Sequence, residues 1–213
     1  MQGTTLTGIL ALLILALAGL LWAERRGSRA MMWATKPIAS AAFVALGIAD
    51  GAPATTTGRL LVLALILSFA GDLLLIPLDP RIFRAGILIF LLAHVAFLGA
   101  FAAAGIAWGW LFVALALLAL AAWVIARRIL PHVSADLRPA VIAYMIVITL
   151  MVAGAAGASA AGASPLLLLA ALMFWTNDLL VARDRFLAKN WLNRAIGLPL
   201  YYGAMVLFAL SVA

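Results

Sequence analysis

Eight apolar runs, each about as long as a helix that crosses a bilayer, follow one another along the chain. A membrane-spanning helix needs about 18 to 20 predominantly apolar residues, and the loops between these runs are short. With 68% hydrophobic and only 10% charged residues, the chain is far too apolar for a soluble globular domain. We therefore predict an all-α polytopic membrane protein, with residues 1–213 forming one domain, a single bundle of eight transmembrane helices. The predicted spans are residues 6–23, 30–49, 60–78, 83–102, 108–126, 140–156, 165–182 and 195–212.

The two ends of this predicted bundle differ in charge. Thirteen of the fourteen Lys and Arg residues lie in or beside the first, third, fifth and seventh loops, and only Arg59 lies on the other side. Because basic loops stay in the cytoplasm, both termini are expected outside it. The net charge of +7 is thus a topology signal, and nucleic acid is not an expected partner. The first run lacks the basic start of a signal peptide and is expected to be a retained span.

Two aspartates interrupt the apolar runs. Asp72 lies in the predicted third span, and Asp178 lies in the seventh. A charged side chain inside a bilayer costs several kcal/mol, so an acidic residue there is a candidate functional residue by default. The alternative for Asp72 is a structural ion pair with Lys36 in the second span. The sequence therefore raises the question of whether the two carboxyl groups meet.

Several polar side chains are expected at the depth of Asp72. At a rise of 1.5 Å per residue, Asp72 lies about 10 Å from the predicted cytoplasmic face. His94 is expected a little deeper. Ser68, four residues before Asp72, shares its helix face and is expected to line the same cavity. Asn177 and Asp178 point about 100° apart, so only one of them is expected to face that cavity squarely. The residues predicted at one depth on five helices are Lys36, Asp72, Tyr144, Asp178 and Tyr201.

Two carboxyl groups in a dry pocket favour acid–base chemistry. They do not readily ionise side by side, so one serves as a proton donor and the other as a base that activates water. With no cysteine and only His94 and His132 as histidines, we expect neither a metal site nor a cofactor. The simpler alternatives are that Ser68, Asn177 and His94 only bond neighbouring helices, and that Lys36 extends to the membrane surface.

Other functions are less well matched by the motifs. The chain has no glycine-rich phosphate loop and no serine-nucleophile elbow, and a presenilin-like aspartyl protease would have glycine at the position of Phe69. A proton-coupled transporter of lipids or small molecules remains an alternative, since transporters use intramembrane carboxylates as proton relays. A purely structural bundle with buried ion pairs is the third possibility.

Short strings around these positions resemble the YhhN family of bacterial membrane proteins and its eukaryotic relatives, whose characterised activity is lysoplasmalogenase. No one string is diagnostic, but they run in the family's order along nearly the whole chain. They are TKP at 35–37, SFAGDLL at 68–74, FLLAH at 90–94, PAVIAY at 139–144, NDLLVA at 177–182, RF at 185–186 and YY at 201–202. The chain departs from the family pattern at Phe97, Asn177 and near Met205, where the family often has an aromatic hydroxyl, a serine and a glutamine.

The resemblance implies a hydrolase of the vinyl ether bond of lysoplasmalogens, located in a bacterial inner membrane. Its partners would be the lysophospholipid substrate and membrane lipids. Asp72 and Asp178 would be the catalytic pair, and the sequence leaves open which of them is the acid. Lys36 would pair with the lipid phosphate. The side chains implied to bind or orient the substrate or water are Ser68, His94, Tyr144, Asn177, Tyr201 and Tyr202.

Overall fold

A computed structural model describes residues 2–77 and 79–211, and this part of the chain is almost entirely helical, with no strand. It contains eight α-helices, as predicted. In chain order, α1 to α8 are Gln2–Arg26, Arg29–Ala49, Thr56–Leu74, Pro80–Ala104, Trp108–Ile129, Arg138–Ala160, Leu166–Phe186 and Trp191–Leu210. Single 3-10 turns, Ala52–Ala54 and Leu130–His132, follow α2 and α5.

Seven of the eight described helices, α1 to α7, are long and apolar enough to cross a membrane. The last helix, α8, differs because Asn193, Arg194 and Pro199 lower the hydropathy of its first half. Its inner face is nevertheless buried in the bundle, where Tyr202 and Phe208 have no exposed surface. That α8 crosses the membrane, and that both termini lie outside the cytoplasm, stay predictions.

Some predicted boundaries were wrong by several residues. The third span was expected to reach residue 78, but α3 ends at Leu74, and Leu78 lies outside the described residues. Helices seldom continue through the residue before a proline, and Pro77 follows closely. The turn within 154–164 lies at the end of that segment, where Gly162 has a φ of 104°. The predicted end of the eighth span, Val212, also lies outside the described residues.

The helices form one bundle with an aromatic centre. Helix α3 packs against α2 and α4, α4 against α6, and α8 against α2 and α7, while α1 covers α2 and α8. Between them lie buried rings, such as those of Phe97 and Phe208, whose centroids are 4.3 Å apart with the rings tilted by 30°. Helix α5 packs mainly on α6, and Ile129 is its one buried residue. Its exposed leucine and tryptophan side chains suit a lipid environment.

The connections at one end of the bundle lie close to the candidate site. Asp79 caps α4 by accepting hydrogen bonds from the backbone N–H groups of Arg81 and Ile82. Asn190 caps α8 by accepting from the N–H of Leu192 at 3.0 Å. Both caps fix helix starts at the same end as the α1–α2 turn. The polar residues predicted from sequence lie one to three turns inside the bundle from this end.

Candidate active site

A cavity of about 600 Å³ opens between the α1–α2, α3–α4 and α7–α8 connections. Its wall includes residues of every one of the eight helices. The two aspartates, predicted from separate spans, both line it. The predicted site residues in its wall are Lys36, Asp72, Tyr144, Asn177, Asp178 and Tyr201. The structure therefore brings these polar side chains together around one cavity, as expected, and their depth in a membrane stays a prediction.

Asp72 is held by three donors. The ammonium of Lys36 lies 3.0 Å from Oδ1, and the hydroxyls of Ser40 and Tyr201 each donate to Oδ2 at 2.7 Å. Only 2% of Asp72 is exposed. A buried carboxylate needs a counter-charge and hydrogen bonds, and this one has both. The ion pair with Lys36 that the sequence offered as an alternative is present, and Lys36 is buried rather than extended to the surface.

Ser40 is a site residue that sequence reasoning missed. Its single hydroxyl proton is donated to Asp72, so the hydroxyl of Tyr202, 3.0 Å away, must donate to the Ser40 oxygen. Tyr202 thus acts on Asp72 through Ser40 and lies outside the cavity wall. The available signal was spacing, since Ser40 is four residues after Lys36 and shares its helix face.

Asp178 has a different set of neighbours. The hydroxyl of Tyr144 donates to Oδ2 at 2.7 Å, and the amide of Asn177 donates to Oδ1 at 3.0 Å. Nε2 of His94 lies 3.4 Å from Oδ2. Asn177 and Asp178 both line the wall, and the Asn177 amide folds against the neighbouring carboxyl group. That only one of them faces the cavity squarely stays a prediction.

The hydrogen bond of His94 to the backbone determines where its proton lies. Nδ1 is 2.6 Å from the carbonyl oxygen of Phe90, and a carbonyl oxygen only accepts, so Nδ1 carries a proton. In a neutral ring Nε2 is then a bare acceptor. Nε2 is buried and has no hydrogen-bond partner in the described part of the chain. Its nearest charged neighbour is the Asp178 carboxyl group.

Ser68 does not line the cavity, contrary to expectation. It is completely buried, and its hydroxyl has no hydrogen-bond partner among residues 2–77 and 79–211. Asp72 is the one described residue of α3 in the wall, and the next wall residues, Leu75, Ile76 and Pro77, follow the end of α3. One turn earlier, Ser68 therefore lies beyond the closed end of the cavity.

The remaining wall is apolar on one side and cationic at the mouth. Helices α4, α5 and α6 contribute aliphatic side chains, among them Ile87, Ile125 and Ile148. Two acidic residues, Glu24 and Asp184, accompany the basic residues at the mouth. One mouth guanidinium, that of Arg185, lies 4.1 Å above the ring of Phe83. The basic residues of the mouth are Arg25, Arg29, Arg185, Lys189 and Arg194.

Within the described ranges, no three His, Cys, Asp or Glu side chains are grouped closely enough to hold a metal ion. That the site needs no metal or cofactor stays a prediction.

Comparison with known sequences assigns the family. The sequence model of the YhhN family matches residues 31–212. The chain belongs to the YhhN family. Neither the curated proteins nor the solved structures gave a match.

The departures from the YhhN pattern lie mostly away from the cavity. Phe97 is completely buried and packs against Phe208, and Met205 is also completely buried. Neither lines the wall. Asn177 is the one departure in the wall, and there it donates to Asp178.

Proposed function

We propose that this YhhN-family protein is a membrane hydrolase that cleaves the vinyl ether bond of lysoplasmalogens. The products are a fatty aldehyde and a glycerophospho-ethanolamine or glycerophosphocholine. The observation that carries the proposal is the placement of Asp72 and Asp178 in the wall of one cavity. Membership of the YhhN family supports the same activity.

The chemistry needs an acid, a base and water. Protonation of the β-carbon of the vinyl ether gives an oxocarbenium ion, which water attacks to form a hemiacetal. The hemiacetal collapses to aldehyde and alcohol. One aspartic acid supplies the first proton, and the other carboxylate stabilises the cation and takes a proton from water. The tyrosine hydroxyls at 2.7 Å from each carboxyl group keep both in place.

The shape and charge of the cavity suit a single-chain phospholipid. The aliphatic wall of α4, α5 and α6 accommodates the alkenyl chain, and the basic mouth accommodates the phosphate. Lys36 is a weaker candidate for the phosphate than the sequence implied, because Asp72 already engages its ammonium. Arg29 and Lys189, which have no ion pair among the described residues, are better placed for that contact.

In the proposed orientation the cavity opens toward the cytoplasm. The connections around its mouth are those that carry the basic residues. Under the positive-inside rule this places both termini on the outer side of a bacterial inner membrane. Substrate would then enter from the cytoplasmic leaflet.

The test is aldehyde release from a lysoplasmalogen by the detergent-purified protein, with and without a chelator. We compare the wild type with Asp72→Asn and Asp178→Asn, and use Asp50→Asn, outside the cavity wall, as the control. Release that survives chelation and is lost in both site variants, while their unfolding remains cooperative, supports the proposal. Folded wild type that releases no aldehyde contradicts it. Proton-coupled flux into liposomes by that protein would then favour the transporter.

A further inference from the structure

We propose that His94 and Asp178 share one proton, which Asp178 delivers to the substrate, while Asp72 stays an anion throughout the protonation step. This inference rests on the proposed function and assigns the roles of its two carboxyl groups. His94 is in this scheme a positioning residue that acts through Asp178. The sequence alone left the two roles interchangeable.

The first step of the argument is the direction of the His94 ring. Because Nδ1 donates its proton to the Phe90 carbonyl oxygen, a neutral ring presents a bare nitrogen to Asp178. A bare Nε2 and a carboxylate oxygen 3.4 Å apart are two acceptors in a buried site, which repel one another. One proton removes the conflict, either on Nε2 or on the Asp178 oxygen. The pair therefore holds a transferable proton in the resting protein.

Asp72 has no described neighbour like His94, which presents a bare acceptor nitrogen to Asp178. Its neighbours Lys36, Ser40 and Tyr201 all donate, and none of them presents a bare acceptor. In the resting protein these three donors take up both of its oxygens, so Asp72 has no proton to deliver. The ammonium of Lys36 is also a weaker acid than a carboxylic acid or an imidazolium, so it is poorly matched to protonating carbon. Asp72 is thus suited to stabilising the cation and accepting a proton from water.

Burial explains why Asp178 and not His94 meets the substrate. His94 is 1% exposed and lies outside the cavity wall. Its ring is covered by Tyr144 and Phe174, whose ring centroids lie 5.0 and 4.5 Å away. Asp178 lines the wall. Among the described residues, the groups that face His94 are the Asp178 carboxyl group, the Tyr144 and Phe174 rings and the Phe90 carbonyl, and Asp178 is the one carboxyl group among them.

The protons balance over one turnover. The shared proton passes from Asp178 to the β-carbon and leaves two carboxylates beside the oxocarbenium ion. Water adds to the cationic carbon, and its proton goes to Asp72. As the hemiacetal collapses, its hydroxyl proton returns to the Asp178–His94 pair, and Asp72 protonates the glycerol oxygen that leaves. One water is consumed, and both carboxyl groups regain their starting states.

The proton position is testable without any substrate. The chain has two histidines, so ¹⁵N-histidine protein carrying His132→Gln reports His94 alone. We expect the ¹⁵N spectrum to show a protonated Nδ1. The Nε2 resonance should be displaced from the position typical of a nitrogen that has neither a proton nor a hydrogen bond. In Asp178→Asn, Nε2 should move to the unprotonated position. A proton on Nε2 with a bare Nδ1, or identical spectra with and without Asp178, overturns the shared proton.

The kinetic test uses His94→Gln, which cannot hold a titrating proton. We expect kcat for aldehyde release to fall about 100-fold, as for loss of acid–base catalysis, with KM little changed. The pH profile of kcat should differ from that of the wild type, because the proton is no longer shared with an imidazole.

The control is His132→Gln. The His132 ring also bonds the carbonyl oxygen four residues earlier, but it is exposed, at the end of a 3-10 turn. The substitution should leave kcat and the pH profile unchanged. A fall in kcat for His94→Gln with an unshifted pH profile indicates a structural role and overturns the assignment. Wild type that is inactive but shows the expected His94 spectrum refutes the proposed substrate and leaves the shared proton standing.

Discussion

The ammonium nitrogen of Lys36 lies 3.0 Å from Oδ1 of Asp72, and side-chain exposure is only 11% for the lysine and 3% for the aspartate. Removing one partner of a buried ion pair leaves an uncompensated charge, whereas replacing both by apolar residues is often tolerated. Lys36 and Asp72 thus contribute to both the stability and the proposed activity, and substituting both residues separates the two effects.

Lys36→Met should lower the free energy of unfolding by about 3 to 5 kcal/mol. The double variant Lys36→Met with Asp72→Leu should recover most of this loss, yet release no aldehyde. Unfolding in mixed micelles and aldehyde assays measure the two effects. A double variant as unstable as the single one would show that Ser40 and Tyr201, and not the charge, determine the cost.

The grouping of the site residues was predictable, and their pairings were not. Helix rise is constant, so spacing from basic loops correctly grouped Lys36, Asp72, Tyr144, Asp178 and Tyr201. Which oxygen meets which donor depends on how each helix rotates about its axis, and apolar residues on all sides of these helices leave that rotation unspecified. Ser40 was therefore missed, and Ser68 was wrongly placed in the wall.

Charge at the cavity mouth should affect substrate binding more than the chemical step. We expect Arg29→Gln with Lys189→Gln to raise KM for lysoplasmalogens by about tenfold and leave kcat nearly unchanged, because a phosphate contact is made equally in ground and transition states. Added salt should weaken the effect of the substitutions. Arg59→Gln, at the opposite end of the bundle, is the control. Equal KM values in all variants would exclude the mouth as the phosphate site.

An exposed ion pair joins the start of α4 to the α5–α6 connection. Arg84 pairs with Asp136, and a hydrogen bond from Ser134, together with the charge of Arg84, lowers the pKa of Asp136 below its ordinary value of 3.8. Because the pKa is lower in the folded state, the unfolded state binds more protons as pH falls, so the stabilisation is present above pH 3.8 and lost below it.

Asp136→Asn should therefore lower the unfolding temperature slightly at neutral pH, and the difference from wild type should shrink as the pH falls below 3.8. Thermal unfolding across this range measures it. A difference that persists unchanged in acid would show that Asp136 stabilises the loop without using its charge.

Two glycines on α8 face α7 and offer a matched pair of substitutions. A Cβ on Gly197 would lie 3.0 Å from Oδ1 of Asn177, whose amide is committed to Asp178, so the asparagine has little freedom to move away. A Cβ on Gly203 would lie 2.6 Å from Cε of Met173, the end of a flexible side chain that moves easily.

We expect Gly197→Ala to reduce kcat by about tenfold through displacement of Asp178 and to lower the free energy of unfolding by about 1 to 3 kcal/mol. Gly203→Ala should keep full activity with a smaller loss of stability. Equal kcat values in the two variants would mean that Asn177 does not position Asp178 for proton transfer.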